Sequence, residues 1–339
     1  MVKLRIEVLA RYVLSRVGSR DPSVLVGPAV GEDSAIIDLG GDFLLVAHVD
    51  PITGAVENIG WLSVHISSND VAVRGARPRW LLPALYLPSW FSEKEIDRVT
   101  SQIDEAAREL EAMIVGGHTE YTPGLDRPMI SMTALGLVEK GGLVVTGGAK
   151  VGDLVLMTKT AGIEGTSILA TDFRGELEAR GVPVHVIGKA SKYIKLVSVV
   201  REALALAEER LANSMHDPTE GGLLGGLTEI AYASGKTIEV WEERIPISEE
   251  TRLLCRAMNV DPLKLISSGV LVATIPESLA ARAVEKLEKL GVNATVIGRV
   301  KGYEGYLVEL HRRNGGRELY EEPYVEDELM KLWEKPPSP

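Results

Sequence analysis

Cysteine is almost absent from this chain of 339 residues, and Cys255 is the only one. A single thiol excludes an internal disulfide and a cysteine-built zinc site. It falls in "EETRLLCRAM", which reads as helical, so Cys255 is expected to pack as a small hydrophobe. Long apolar runs are missing too, and nothing approaches the roughly 18–20 residues of a membrane span. The opening "MVKLRIEVLARYVLSRVG" carries charges at every turn instead of a signal-peptide core. It reads as an amphipathic helix, and the chain is expected to be cytoplasmic, with no membrane partner. Positive charge is in deficit: 37 basic against 48 acidic residues leave a net charge of −11. General affinity for nucleic acid needs basic patches, so none is expected, although a local basic pocket for phosphate fits that balance. No G-x-x-x-x-G-K-[ST] motif occurs, and "GGLLGG" follows no strong strand, which argues against a dinucleotide loop.

What is present suffices for two cores, with 45% hydrophobic residues over a length typical of two domains. "SAIIDLG" and "DFLLVAHVD" read as strands around a Gly-Gly-Asp turn, with a helix following at about 57–75. "WLLPALYLP" is strand-like, and "SEKEIDRVTSQIDEAARELEA" opens on a capping box and is the clearest helix. "MIVGG" and "PMISMTALGLVE" read as further strands. A glycine-rich shift at 139–153 puts a domain boundary near 150, giving domains 1–150 and 151–339. The second half predicts helices near 187–211, 221–234, 248–258 and 277–290, and strands at 154–160, 236–241, 269–275, 294–300 and 305–310. The closing "EKPPSP" cannot continue a helix and is expected to fray.

Within the first helix, Ile59, Leu62, Ile66 and Val73 form an apolar stripe, and Asn69 and Asp70 project near it. A carboxylate there needs a partner. The plain candidates are Arg74, four residues on, and Arg77. His65 lies one turn before Asn69 and is placed to orient it. Other acidic motifs are "VGEDSAII" with Glu32 and Asp33, "AHVDPITGA" with Asp50, and "SMHDPTEGGLLGGLTEIA" with His216, Asp217 and Glu220. Singly, each also fits a turn former or a cap. Together they suggest carboxylates held by cations, and all-oxygen ligands favour Mg²⁺ or Ca²⁺. "GGHTE", "TAGIEGTS" and "EGGLLGG" supply glycines that could let a phosphate approach the backbone. His118 and His216 each fit a hydrogen-bonded loop residue as well as a catalyst.

The order of "GEDSA", "VDP", "NDVAVRGARP", "GGHTE", "AGIEGTSILA", "HDPTEGGLLGGLTEIA" and "IGRV" resembles the AIR synthase superfamily, which includes HypE and thiamine-monophosphate kinase. "DPTEGGLLGGLTEIA" is most similar to HypE. The resemblance implies an α/β (α+β) two-domain fold. Its N-terminal domain would form a barrel shared with a second subunit, and its C-terminal domain an α+β sandwich. It implies a homodimer with ATP and Mg²⁺ at the interface. It places Asp33, Asp50, Asp70 and Asp217 on Mg²⁺ and phosphates, Asp50, Asp70 and Asp217 also being the catalytic candidates. Asn69 would position Asp70 or touch phosphate. Gly116, Gly117, His118 and Thr119 would line the nucleotide cleft, with Gly162 and Gly165 as further nucleotide-binding candidates.

The chain also departs from the HypE pattern. Glu32 replaces the first Asp of a Gly-Asp-Asp, His118 sits where an Asp is usual, and Glu120 where a Lys is. The sequence given ends without the terminal cysteine that accepts a carbamoyl group in HypE enzymes. A HypE reaction on its own tail is therefore not expected. Three readings follow: a Mg²⁺-dependent, HypE-like ATP-using enzyme with a separate small-molecule or protein substrate, a small-molecule kinase like thiamine-monophosphate kinase, or a non-catalytic nucleotide-binding assembly partner in metallocentre maturation.

Overall fold

A computed structural model describes residues 6–333. The tail expected to fray, 334–339, lies outside the described residues. Within the described residues, α1 (Ile6–Leu9) runs into a π-helical turn at Ala10–Leu14.

The first sheet has seven strands: β1 (Val24–Val26), β2 (Ala35–Asp38), β3 (Phe43–Ile52), β4 (Arg77–Leu87), β5 (Met113–Ile114), β6 (His118–Tyr121) and β7 (Met129–Glu139). Their order is β1-β2-β3-β7-β4-β5, and β6 also pairs with β4. Inward residues alternate along β3 and β7, where Leu44, Val46, Ile130, Met132 and Ala134 are buried. Helix α2 (Ile59–Ala72) packs on that face, and α3 (Glu93–Glu109) packs on α2 and beside β5. The capping box of α3 is formed: the Ser92 side chain accepts from the Glu95 amide, and the Glu95 carboxylate accepts from the Ser92 amide. Every residue of α2 is buried, so it is enclosed on all sides and not merely striped.

The second sheet also has seven strands: β8 (Leu154–Thr158), β9 (Ser214–His216), β10 (Thr237–Trp241), β11 (Val272–Ile275), β12 (Ala294–Lys301), β13 (Val308–His311) and β14 (Arg317–Tyr320). The order is β14-β13-β10-β12-β8-β11-β9. Its helices are α4 (Ile163–Asp172), α5 (Arg174–Ala179), α6 (Val184–Ala190), α7 (Val200–Glu208), α8 (Gly222–Ser234), α9 (Glu249–Met258), α10 (Ala280–Lys289) and α11 (Met330–Trp333). Cys255 is 2% exposed inside α9, and burial pushes its thiol up to about 12, so it is an inert packing residue.

The single helix expected near 187–211 is broken. The chain leaves α6 through a 3₁₀ stretch at Ser191–Leu196 and restarts at α7. The reason is tertiary. The carbonyls of Ile194 and Val197 accept from Trp61 Nε1 (3.0 Å) and Asn69 Nδ2 (2.9 Å), and the Val199 amide donates to Asn69 Oδ1 (2.8 Å). Lys159 Nζ donates to the carbonyls of Leu196 (3.1 Å) and Ser198 (2.6 Å). This segment bolts α2 to the second sheet's domain and cannot also satisfy a regular helix.

Candidate functional site

Four chain segments carry the acidic motifs to one place. Strand β3 puts His48 and Asp50 on the same side, because alternate strand residues share a face. The end of α2 delivers Asp70, and β9 delivers His216 with Asp217 directly after it. With Asp33 from the turn before β2, these residues line a cavity of about 200 Å³, joined by Glu32, Thr219, Glu220 and Glu229. One ligand atom each from His48, Asp50 and Asp70 lie within 4.8 Å of one another, as do those of Asp33, His216 and Asp217.

The electrostatics divide this cluster. Asp33 is satisfied: its Oδ2 accepts from Arg74 and, at 2.8 Å, from His216 Nδ1. Burial works against its charge, but His216 and Arg74 outweigh it and hold the carboxyl well below the usual range. Burial likewise disfavours a charged His216. Asp33 on one ring nitrogen and Glu229 on the other (2.9 Å) raise it to about 10, an imidazolium. Asp70 and Asp217 are the reverse. Burial, then the Asp217, Asp33 and Asp50 charges, push Asp70 far upward. Burial and Asp33 do the same to Asp217. Neither oxygen of Asp217 has a hydrogen-bond partner, although the residue is only 1% exposed. His48 Nε2 lies 3.2 Å from Asp70 Oδ2, while Nδ1 meets the Asp33 carbonyl. Burial lowers this ring's titration against the opposing pull of Asp33.

Several expectations change. Asp70 does not pair with Arg74, whose guanidinium goes to Asp33, Glu32 and Thr146, nor with Arg77, which meets Glu111 on the surface. Asn69 spends its amide on Val197 and Val199, so it is an interdomain tie and not a phosphate contact. His65 does not orient it, because neither His65 nitrogen has a hydrogen-bond partner. Gly162 and Gly165 are not open to a phosphate. Their amides donate to Ser267 Oγ and the Ile266 carbonyl, and a Cβ on Gly165 would fall 2.3 Å from Leu265. None of Gly116, Gly117, His118 and Thr119 lines the acidic cavity. Residues 116–119 are exposed, and β6 there pairs with β4. Gly117 is required by packing: its φ is +145° and a Cβ would meet the Pro83 carbonyl at 2.3 Å.

Sequence reading missed His48 and Glu229. The i, i+2 spacing from Asp50 could have exposed His48. Glu229 sits within α8, and no local signal links it to His216.

Two seven-stranded sheets sharing one acidic cavity define a two-domain AIR synthase-like fold. The AIR synthase related protein N-terminal domain matches residues 31–138, and the corresponding C-terminal domain matches 150–309. The chain belongs to the AIR synthase related family. It is 32% identical over 289 residues to a hydrogenase expression/formation protein of Methanocaldococcus jannaschii, covering 82% of each chain. It is 32% identical over 276 residues to the carbamoyl dehydratase HypE of Azotobacter vinelandii, covering 80% of this chain and 78% of that one. The crystal structure of the hydrogenase maturation protein HypE in complex with ATP is similar at a TM-score of 0.71 and 27% identity, covering 92% of both chains. Among the described residues, no helix is long and apolar enough to cross a membrane.

Proposed function

We propose that this chain is a Mg²⁺-dependent, ATP-using, HypE-like protein of hydrogenase or metallocentre maturation. The observation that carries the reading is Asp217: a buried carboxylate with two unpartnered oxygens, facing Asp50 and Asp70 across one cavity. Crowded buried carboxylates that the protein does not neutralise must take up protons or be held by a cation. The donor set suits Mg²⁺, with Asp50, Asp70 and Asp217 as its holders and the nucleotide's phosphates completing the shell. Asp33 acts by positioning, because Arg74 and His216 already occupy its Oδ2. Bound Mg²⁺ would neutralise phosphate charge during transfer. The similarity to a HypE crystallised with ATP supports the nucleotide.

The homodimer belongs to the same reading. On β3, Leu45, Ala47 and Val49 stand opposite Leu137, Leu135 and Thr133 of β7, and Trp80 and Leu82 of β4 continue the row. The named residues of this row carry no charge, with Arg77 pairing with Leu137 at its end, and the face points away from α2 with Val49 56% exposed on it. A second copy would cover it. It would also bring the exposed 116–119 edge into an interface cleft with the nucleotide.

Calorimetric titration with ATP, with and without Mg²⁺, followed by product analysis, tests the function. Mg²⁺-dependent binding with release of ADP or AMP is expected. No binding would leave the acidic motifs as a remnant of the fold. Light scattering at micromolar concentration should give twice the chain mass.

A further inference from the structure

Glu164 is a buried acid that the cation site does not use. It sits in the first turn of α4 and is 3% exposed, and its Oε2 has no hydrogen-bond partner. Ser268 lies beside it, fully buried and within reach of the Glu164 carboxyl. The Glu164 oxygen left over costs stability unless something binds there. Both line a small cavity walled by Ile66, Ile168 and Ile266 and closed by Leu329 and Met330. Asp50, Thr219 and Glu220 border this cavity as well as the acidic one, so the two spaces are neighbours. About 20 Å³ is open inside, room for one water-sized group.

We propose that Glu164, supported by Ser268, is the proton acceptor of a second-substrate pocket. The pocket takes a small uncharged group bearing an exchangeable O–H or N–H proton. The proposal rests on the Mg-ATP reading above. The nearby carboxylates Glu220, Asp327 and Asp50 turn an anionic acceptor away. Burial, aided by these charges, lifts Glu164 to about 8, within the range that suits a base working near neutrality. In the step, the acceptor atom attacks the terminal phosphorus of ATP while its hydrogen passes to the Glu164 carboxylate. The new bond to phosphorus forms, the bridging P–O bond breaks, and ADP leaves with that oxygen's electron pair.

The test uses hydroxylamine as the neutral acceptor and formate as an anion of similar size. Mg-ATP binding is measured first, by calorimetry, on the wild-type protein, Glu164→Gln and Ser268→Ala. All three should bind within about threefold of one another, since neither residue is among the proposed cation holders. Hydroxylamine, not formate, should then raise ADP release by the wild-type protein. Glu164→Gln should lose that stimulation by about 100-fold, a typical general-base contribution. Ser268→Ala should raise the hydroxylamine concentration needed and keep the maximal rate, which preserves a test if Glu164→Gln fails to fold. Retained stimulation in Glu164→Gln, no change in Ser268→Ala, equal stimulation by formate, or none by hydroxylamine in a protein that binds Mg-ATP would each overturn the proposal. If the wild-type protein fails to bind Mg-ATP, the functional reading falls and the proposal with it, and the calorimeter shows this before any acceptor is added.

Discussion

The chain holds two kinds of acidic cluster, each a histidine with two carboxylates at the same close spacing. On the second sheet, Glu239, Glu309 and His311 bring ligand atoms within 4.8 Å, as do His48, Asp50 and Asp70 in the cavity. Their partners differ. Glu239 receives Arg299 at 2.6 Å, and Glu309 receives Arg317 at 2.6 Å and Lys301 at 3.5 Å. Burial opposes the charge on Glu239, but Arg299 and His311 outweigh it and keep its carboxyl low. In the cavity the cations stop at Asp33, and Asp70 and Asp217 are driven the other way. Proximity of carboxylates therefore says little by itself. What separates a structural network from a candidate cation site is whether the protein supplies the counter-charge.

The sharpest way to break this comparison is Asp217→Asn. It removes the carboxylate that has no protein partner, and Mg-ATP affinity should fall about 100-fold, or ~2.7 kcal/mol. The melting temperature of the ligand-free protein should not fall, because no internal bond is lost. Asp50→Asn and Asp70→Asn should weaken binding in the same sense. A variant that melts and keeps its ATP affinity would move that residue into the structural class.

Asn69, next to Asp70 in sequence, should behave in the opposite way. Asn69→Ala leaves the Val197 carbonyl and the Val199 amide buried without partners, costing about 2 kcal/mol or more. Chemical denaturation should show that loss, with Mg-ATP affinity changed little once the protein is folded.

These two neighbours also mark how far the sequence could be read. The hydrophobic spacing of α2 revealed that both side chains are buried, and the order of the motifs led to the two-domain fold. The destination of each polar group was not legible. Asn69 is consumed by a segment about 130 residues away, and Arg74 chooses Asp33 over the Asp70 one turn before it. The glycines of "TAGIEGTS" looked like a ligand loop, yet Gly165 is there because Leu265 leaves no room for a Cβ. Local pattern specifies elements and faces, whereas pairing across the chain decides which polar residue is spare.

His65 offers a pH-dependent test outside the acidic cavity. Burial, followed by the Lys195 and Lys159 charges, lowers this ring to about 3. The unfolded chain titrates near 6.5. Its stabilising effect is therefore complete above about pH 6.5 and is lost as pH falls toward 3, at up to about 1.4 kcal/mol per unit. His65→Leu should flatten that slope in denaturation curves between pH 6.5 and 4, since neither ring nitrogen bonds anything. An unchanged slope would assign the acid sensitivity to other groups.

The smallest effect should come from the paired cluster. Glu239→Gln keeps a side chain of the same shape and can still accept from Arg299, whose side chain is 56% exposed. The pair is screened on its Arg299 side and Gln keeps an acceptor there, so stability should change by about 1 kcal/mol. Added Mg²⁺ should produce no shift in melting temperature beyond that of the wild-type protein. If Mg²⁺ instead stabilised the wild-type protein through Glu239, so that the variant lost part of the shift, Arg299, Lys301 and Arg317 would not be sufficient counter-charge. The distinction between the two clusters would then have to rest on burial and not on pairing.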